Sequence, residues 1–273
     1  MSGRLRNVLR DLRSYPRQFW VLTLGTFIYV GAAALAFPFE AIYLRNELGT
    51  SMTMIGVVFG LVPLAVMPVQ FWGGQLTDRL GRRVIILSSV LVGVVWFVGF
   101  AFVTELWQVA ALVALESALG WPLFQTASNA MIADLLPAPR RQEGFGLTRV
   151  AMNLGVVLGP ALAGLAWGRG ITYRQLFLAA AGGCALMVVM MLLWIRESRP
   201  QSAVEPHRRV DAHGRSGYRI VLHDRVFLTF CGVAVLAVFC FGNFGSIFPV
   251  YVTDVLGVAK AHWGYLLALN AGV

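Results

Sequence analysis

Gly73-Gly74-Gln75-Leu76-Thr77-Asp78-Arg79-Leu80-Gly81-Arg82-Arg83-Val84-Ile85 is the stretch that decides the fold of this chain of 273 residues. It gathers three glycines, one carboxylate and three guanidiniums between two long apolar runs. Such a string reads as a tight turn at which the chain leaves an apolar medium and re-enters it. The run before it, Leu48 to Thr77, and the run after it, Val84 to Thr104, contain no Asp, Glu, Lys or Arg. Each has the roughly 20 residues a helix needs to cross a bilayer core.

The same pattern recurs along the rest of the chain. Phe19 to Phe39, Val150 to Gly168, Gln175 to Ile195 and Val226 to Thr253 are also free of these charged residues, and Leu106 to Leu135 carries Glu116 in its interior. Hydrophobic residues make up 58% of the chain and charged ones 13%, with a mean hydropathy of +0.72. Soluble domains carry about 25% charged residues. Segments this apolar must satisfy their backbone polar groups internally, so they are expected to be helices. The expectation is an all-α polytopic membrane protein with seven spans and the start of an eighth.

A net charge of +9 invites the thought of nucleic acid, but the distribution of the charge argues against it. Of 22 basic residues, 18 lie in the N-terminal segment and alternate loops, namely Arg4 to Arg17, Arg79 to Arg83, Arg140 to Arg149 and Arg196 to Arg225. Only Arg45, Arg169, Arg174 and Lys260 fall on the other side. This is the positive-inside pattern of a multi-pass protein of the plasma (inner) membrane, and it sets the N-terminus in the cytoplasm. The expected partners are the lipid bilayer and a small-molecule substrate. Cys184, Cys231 and Cys240 sit inside apolar runs and read as small packing residues. Leu5, Val8, Leu9 and Leu12 recur at helical spacing among arginines, which fits either a helix on the membrane surface or a basic tail.

At nearly every position the Gly73–Ile85 string resembles the G-G-x-L-x-D-R-x-G-R-R signature of the major facilitator superfamily, whose members are secondary transporters. The resemblance implies two six-helix bundles about a central cavity that opens to each side in turn, needing no cofactor. It divides the chain into an N-terminal bundle (1–195), a cytoplasmic linker (196–225) and the start of a second bundle (226–273), with helix 7 and part of helix 8. Gly73, Gly74, Asp78, Arg79, Gly81, Arg82 and Arg83 then form a conformational gate. In the family the corresponding Asp engages a helix of the other half and locks the outward-open state.

The chain also repeats itself. Tyr43, Leu44, Leu48, Gly49 and Gly56 are matched by Tyr251, Val252, Leu256, Gly257 and Gly264, always 208 positions later. A parallel internal repeat explains this. On that register Val273 falls opposite Ala65, in mid-span. The expectation is therefore a partial transporter sequence or the product of a truncated gene.

Gly155, Gly159, Pro160 and Gly164 resemble the G-x-x-x-G-P-x-x-x-G antiporter signature of drug:proton exchangers. Small residues four apart allow close helix packing, and Pro160 introduces a bend. Exporters of the family carry Arg in R-x-x-x-G in the fourth span. Here Glu116 to Gly120 keeps the spacing and reverses the charge. Ionisable groups at mid-depth are expensive and are functional candidates. Glu116 reads either as a group that binds and releases a proton or as a hydrogen-bonded structural residue. Glu40, near the far end of the first span, reads either as a second proton or cation site or as an interfacial residue in contact with water; the depth favours the latter.

Gln125, Ser128, Asn129, Asn153 and Asn243 are candidates to line a cavity, with Trp72, Trp96 and Trp121 offering apolar or cation–π contacts. A pairing of Arg149 with Asp134 across the cytoplasmic mouth is a further expectation. No metal motif, phosphate loop or catalytic constellation is found, so an enzyme is not expected. Proton-coupled efflux of small molecules, driven by the proton gradient, is the leading functional reading. A nutrient symporter of the same superfamily and a transport-inactive remnant are the alternatives.

Overall fold

The computed structural model describes residues 14–60, 62–198, 225–226, 228–233, 236 and 248–272. The basic segment of residues 4–13, Asn243, Cys240 and most of the linker lie outside the described residues.

The first span is α1 (Arg17–Asn46), whose 30 residues extend for about 45 Å and include Pro38. The second apolar run holds α2 (Met52–Gly60) and α3 (Val62–Leu80). After the Gly81 turn, α4 (Arg82–Phe102) forms the third span. The fourth is also divided, into α5 (Leu106–Leu119) and α6 (Trp121–Leu135), and the break falls at Gly120 rather than at the charged Glu116. A 3-10 turn at Ala138–Arg140 leads to α7 (Arg141–Trp167), which contains Pro160, and α8 (Tyr173–Trp194) completes the first six spans. A π-helical turn (Tyr251–Val255) and α9 (Lys260–Gly272) belong to the part after the linker. No strand occurs among the described residues.

Helix starts follow local chemistry. At α8 the Thr172 hydroxyl accepts the Gln175 amide at 3.3 Å while the Gln175 side chain accepts the Thr172 amide at 3.0 Å. This reciprocal pair satisfies two donors that a helix leaves open. Pro122 sits in the first turn of α6, where its missing N–H is tolerated.

Among the described residues, α1 lies against α7 and α8, α8 against α4, and α3 across α5 and α6, while α9 docks on α7. The interior is aromatic and aliphatic, with Phe19, Phe39, Ile42, Ile86, Phe100, Phe124, Met131 and Phe177 fully buried. The outside is apolar as well. Leu24, Leu91, Leu154, Leu162, Leu186 and Leu193 are all exposed. In water such a surface would aggregate, whereas lipid is its natural solvent. Among the described residues, five helical spans are long and apolar enough to cross a membrane.

The repeat is written in the backbone as well as the sequence. Gly49 and Gly257 both take positive φ, at 65° and 67°. The amide of Thr50 donates to Leu44 at 3.0 Å and that of Val258 to Val252 at 3.1 Å. The amides of Ile55 and Trp263 donate to Ser51 and Ala259, both at 3.0 Å. Each pair is offset by the same 208 positions as the sequence motif.

Candidate functional site

Three assemblies use the residues singled out by the sequence. The first is the arginine turn. Gly81 has φ +97°, and a Cβ there would lie 2.5 Å from a carboxylate oxygen of Glu197. That carboxylate accepts the Arg82 amide at 2.9 Å and the Arg83 amide at 3.1 Å. It therefore caps the positive end of α4 from just beyond α8. The buried Arg82 guanidinium is shared, with Nη2 2.9 Å from Asp78 and Nε 2.9 Å from Asp134. Ser198 donates to Asp134 at 3.2 Å, and Arg83 Nη2 donates to the Leu192 carbonyl at 3.1 Å. Asp134 thus pairs with Arg82 and not with the expected Arg149, which is exposed. The reason is geometric: the Gly81 turn brings Arg82 under the end of α6. Gly73 allows α3 to approach α6, its virtual Cβ lying 3.0 Å from Leu123, whereas Gly74 faces open space.

The second assembly is the glycine face of α7, and it has two sides. A Cβ on Gly155 would lie 2.9 Å from the Phe27 carbonyl oxygen, and one on Gly159 2.6 Å from that of Gly31, both on α1. Gly164 looks the other way, its virtual Cβ 2.7 Å from the Ala261 carbonyl oxygen of α9. Gly264 reciprocates, 2.6 Å from the Pro160 carbonyl oxygen. One sequence motif thus packs α7 against α1 on one side and against α9 on the other.

The third is a pair of carboxylates. Glu116 lies one turn before the Gly120 break. Its Oε1 accepts the Trp121 amide at 3.0 Å, at the N-terminus of α6. The carboxyl group occupies the space a side chain at position 120 would need, so the E-x-x-x-G spacing has a direct steric meaning. Glu40 is fully buried, and the water contact expected at its depth is not found. Its Oε1 accepts the Trp96 indole N–H at 2.7 Å. The ring of Trp96 packs tilted against Phe100, with centroids 4.8 Å apart. Oε2 of both glutamates is buried with no hydrogen-bond partner among the described residues. The two groups lie within electrostatic range of each other, and Tyr29 and Cys184 lie within range of Glu116. Tyr29 packs on Trp121 and Phe124, with centroids 6.0 and 4.8 Å away.

The other candidates are scattered. Ser128 is buried, Gln125 half-buried, and Asn129 and Asn153 are exposed. Trp72 is exposed, Trp96 belongs to Glu40 and Trp121 to Tyr29, so the three tryptophans form no single cluster. Sequence reasoning missed Glu197 as a cap and Trp96 as the partner of Glu40. Each acts across a long sequence separation that no local spacing encodes.

Apolar spans around the buried Glu40 and the half-buried Glu116, with an arginine turn at one end and a repeated half, define a polytopic helical protein with a transporter fold. The Major Facilitator Superfamily profile matches residues 22–273, and the chain belongs to that superfamily. It is 30% identical over 254 residues to the "Uncharacterized MFS-type transporter YqjV" of Bacillus subtilis (strain 168), covering 92% of this chain and 61% of the relative. It is 26% identical to the "Na(+), Li(+), K(+)/H(+) antiporter" of Planococcus maritimus, over 90% of this chain and 60% of that one. With the "Multidrug resistance protein MdtG" of Serratia proteamaculans (strain 568) it shares 27% identity, over 90% and 59%. The chain thus spans about three-fifths of the length of these curated relatives. Among solved structures, a bacterial homolog of the human lysosomal transporter Spinster superposes with a TM-score of 0.69 at 19% identity, covering 94% of this chain and 60% of that one. That likeness concerns the fold.

Proposed function

We propose that this chain forms the first bundle and the start of the second bundle of a proton-coupled secondary transporter that exports small molecules by alternating access. The observation that carries the reading is the pair Glu40 and Glu116. Both are carboxylates inside apolar spans, Glu40 fully buried and Glu116 half-buried, each with one oxygen hydrogen-bonded and a buried Oε2 without a partner among the described residues. No Lys or Arg lies between Gln18 and Leu44 of α1 or between Leu106 and Leu135. Intramembrane carboxylates with no basic residue in their own span are suited to take and release protons. Relatives named for multidrug resistance and for cation/proton antiport support exchange over the other readings.

In this reading residues 1–195 are one bundle, 196–225 the linker and 226–273 the opening of the other. The arginine-rich end faces the cytoplasm of the inner membrane. Asp78 serves the gate. Its side chain is 67% exposed while its partner Arg82 is 9% exposed, so Asp78 is the member of the cluster that can reach another element.

The test is proton flux against substrate flux in proteoliposomes, using the protein expressed from its own gene. Glu116→Gln and Glu40→Gln are each expected to uncouple the two fluxes while leaving membrane insertion intact. Coupled transport unchanged in both variants overturns the assignment. Proton entry in the same direction as substrate identifies a symporter, and no flux in the unmutated protein identifies an inactive remnant.

A further inference from the structure

At the end opposite the arginine turn, the two copies of the repeat meet. The ammonium of Lys260, at the start of α9, lies 4.2 Å from the ring centroid of Tyr173 and 4.9 Å from that of Trp167. The two rings stand edge to face at 4.8 Å. Phe39 braces Trp167 at 5.6 Å and Tyr43 braces Tyr173 at 5.4 Å, so the seat is held by α1, α7 and α8. Beside it Arg45 Nε lies 3.8 Å from Asp254 Oδ2. Glu47 and Asp254 both lie within electrostatic reach of Lys260. Beneath this layer Gly164 and Gly264 bring the α7 and α9 backbones together.

The charges do not follow the repeat. At the 208 offset Arg45 stands opposite Thr253, Glu47 opposite Val255, Asn46 opposite Asp254 and Met52 opposite Lys260. Matched backbone turns bring the two mouths to equivalent positions, and the unmatched residues give each mouth the charges the other lacks. A cation over two aromatic faces is held by their quadrupoles and is strengthened as water is excluded.

We propose that Lys260 in its Trp167–Tyr173 seat, together with the Arg45–Asp254 pair, forms a latch that shuts this end of the passage between the halves. Opening that end withdraws the ammonium from the rings and parts Arg45 from Asp254. The latch rests on the alternating-access reading above but not on its proton coupling, so it is tested by distance and not by transport.

The experiment places spin labels at Ser51 and His262, both exposed, one on each half at this end. The protein is the one expressed from its own gene, with Cys184, Cys231 and Cys240 replaced by Ala, reconstituted in lipid. Double electron–electron resonance reads the distance distribution. Lys260→Gln is expected to raise the ratio of long to short distances by about threefold or more. Lys260→Arg is expected to keep the original distribution, because a guanidinium also binds aromatic faces. Arg45→Asp and Asp254→Arg are each expected to lengthen the distances, and the double swap to restore them. Distributions unchanged in Lys260→Gln and in both single swaps overturn the latch. Should Lys260→Gln fail to fold, the swap series decides alone: two open singles and a closed double support the latch, and three identical distributions overturn it. A shifted distribution in a variant that still moves substrate and protons together separates the latch from the coupling carboxylates.

Discussion

Asp78 and Asp134 share one guanidinium, and their surroundings give them different weights. The Asp134 side chain is 15% exposed against the 9% of Arg82, whereas that of Asp78 is 67% exposed. Removing one member of a buried ion pair leaves a charge with neither water nor partner and commonly costs about 3–5 kcal/mol. An exposed pair is worth about 0–1 kcal/mol. Arg82 keeps Asp78 when Asp134 is lost, which puts Asp134→Asn at about 3 kcal/mol, the low end of the buried range. Asp78→Asn is expected to change stability by less than about 1 kcal/mol and to slow transport if Asp78 serves the gate. Thermal unfolding in detergent, set beside transport rates, separates the two; equal loss of stability in both variants would contradict this division. The sequence already marked Asp78, Gly81, Arg82 and Arg83, because a turn motif is local. Asp134 and Glu197 complete the cluster from 52 and 115 positions away from Arg82, beyond the reach of any spacing rule.

At the scale of elements, the helices were legible and their interruptions were less so. Long uncharged runs identify spans because lipid leaves the backbone no other partner. The fourth span breaks at Gly120 because Gly120 and Pro122 weaken the ladder there and the Glu116 carboxyl takes over the Trp121 amide. In α7 the glycines sort by neighbour, which the sequence could not show. Gly159 has α1 backbone on one side, with the Gly31 oxygen and Leu35 nitrogen 2.6 and 2.7 Å from its virtual Cβ, and Gly164 has α9. Backbone cannot rotate aside as a side chain can, so an added methyl forces the helices apart at about 1–3 kcal/mol. Gly159→Ala is therefore expected to lower the unfolding temperature. Gly164→Ala is expected to leave that temperature unchanged and to lengthen the Ser51–His262 separation. The pair of measurements fails the idea if Gly159→Ala moves the distance and Gly164→Ala the melting temperature.

For the whole molecule, the repeat was legible in five matched residues because left-handed glycines at a span's exit leave a readable mark. What the two mouths do to each other was not, since Arg45, Asp254 and Lys260 lie outside the matched positions. Orientation follows from charge alone. In the sequence, 18 of 22 basic residues fall in the N-terminal segment and the alternate loops that include the Gly81 turn, and a membrane potential and an anionic inner leaflet both favour the retention of such segments in the cytoplasm. Gln142, at the start of α7, lies on that side, and Ser51, just before α2, lies on the other; both are exposed. A cysteine at Ser51 is expected to react with a membrane-impermeant maleimide in intact cells, and a cysteine at Gln142 only after permeabilisation. The reversed pattern would turn the molecule over. The Lys260 latch would then close the cytoplasmic mouth, and the arginine cluster would face outward. The positive-inside bias makes the first pattern the expected one, and under it the proposed latch would restrain the outward opening through which the proposed export would release substrate.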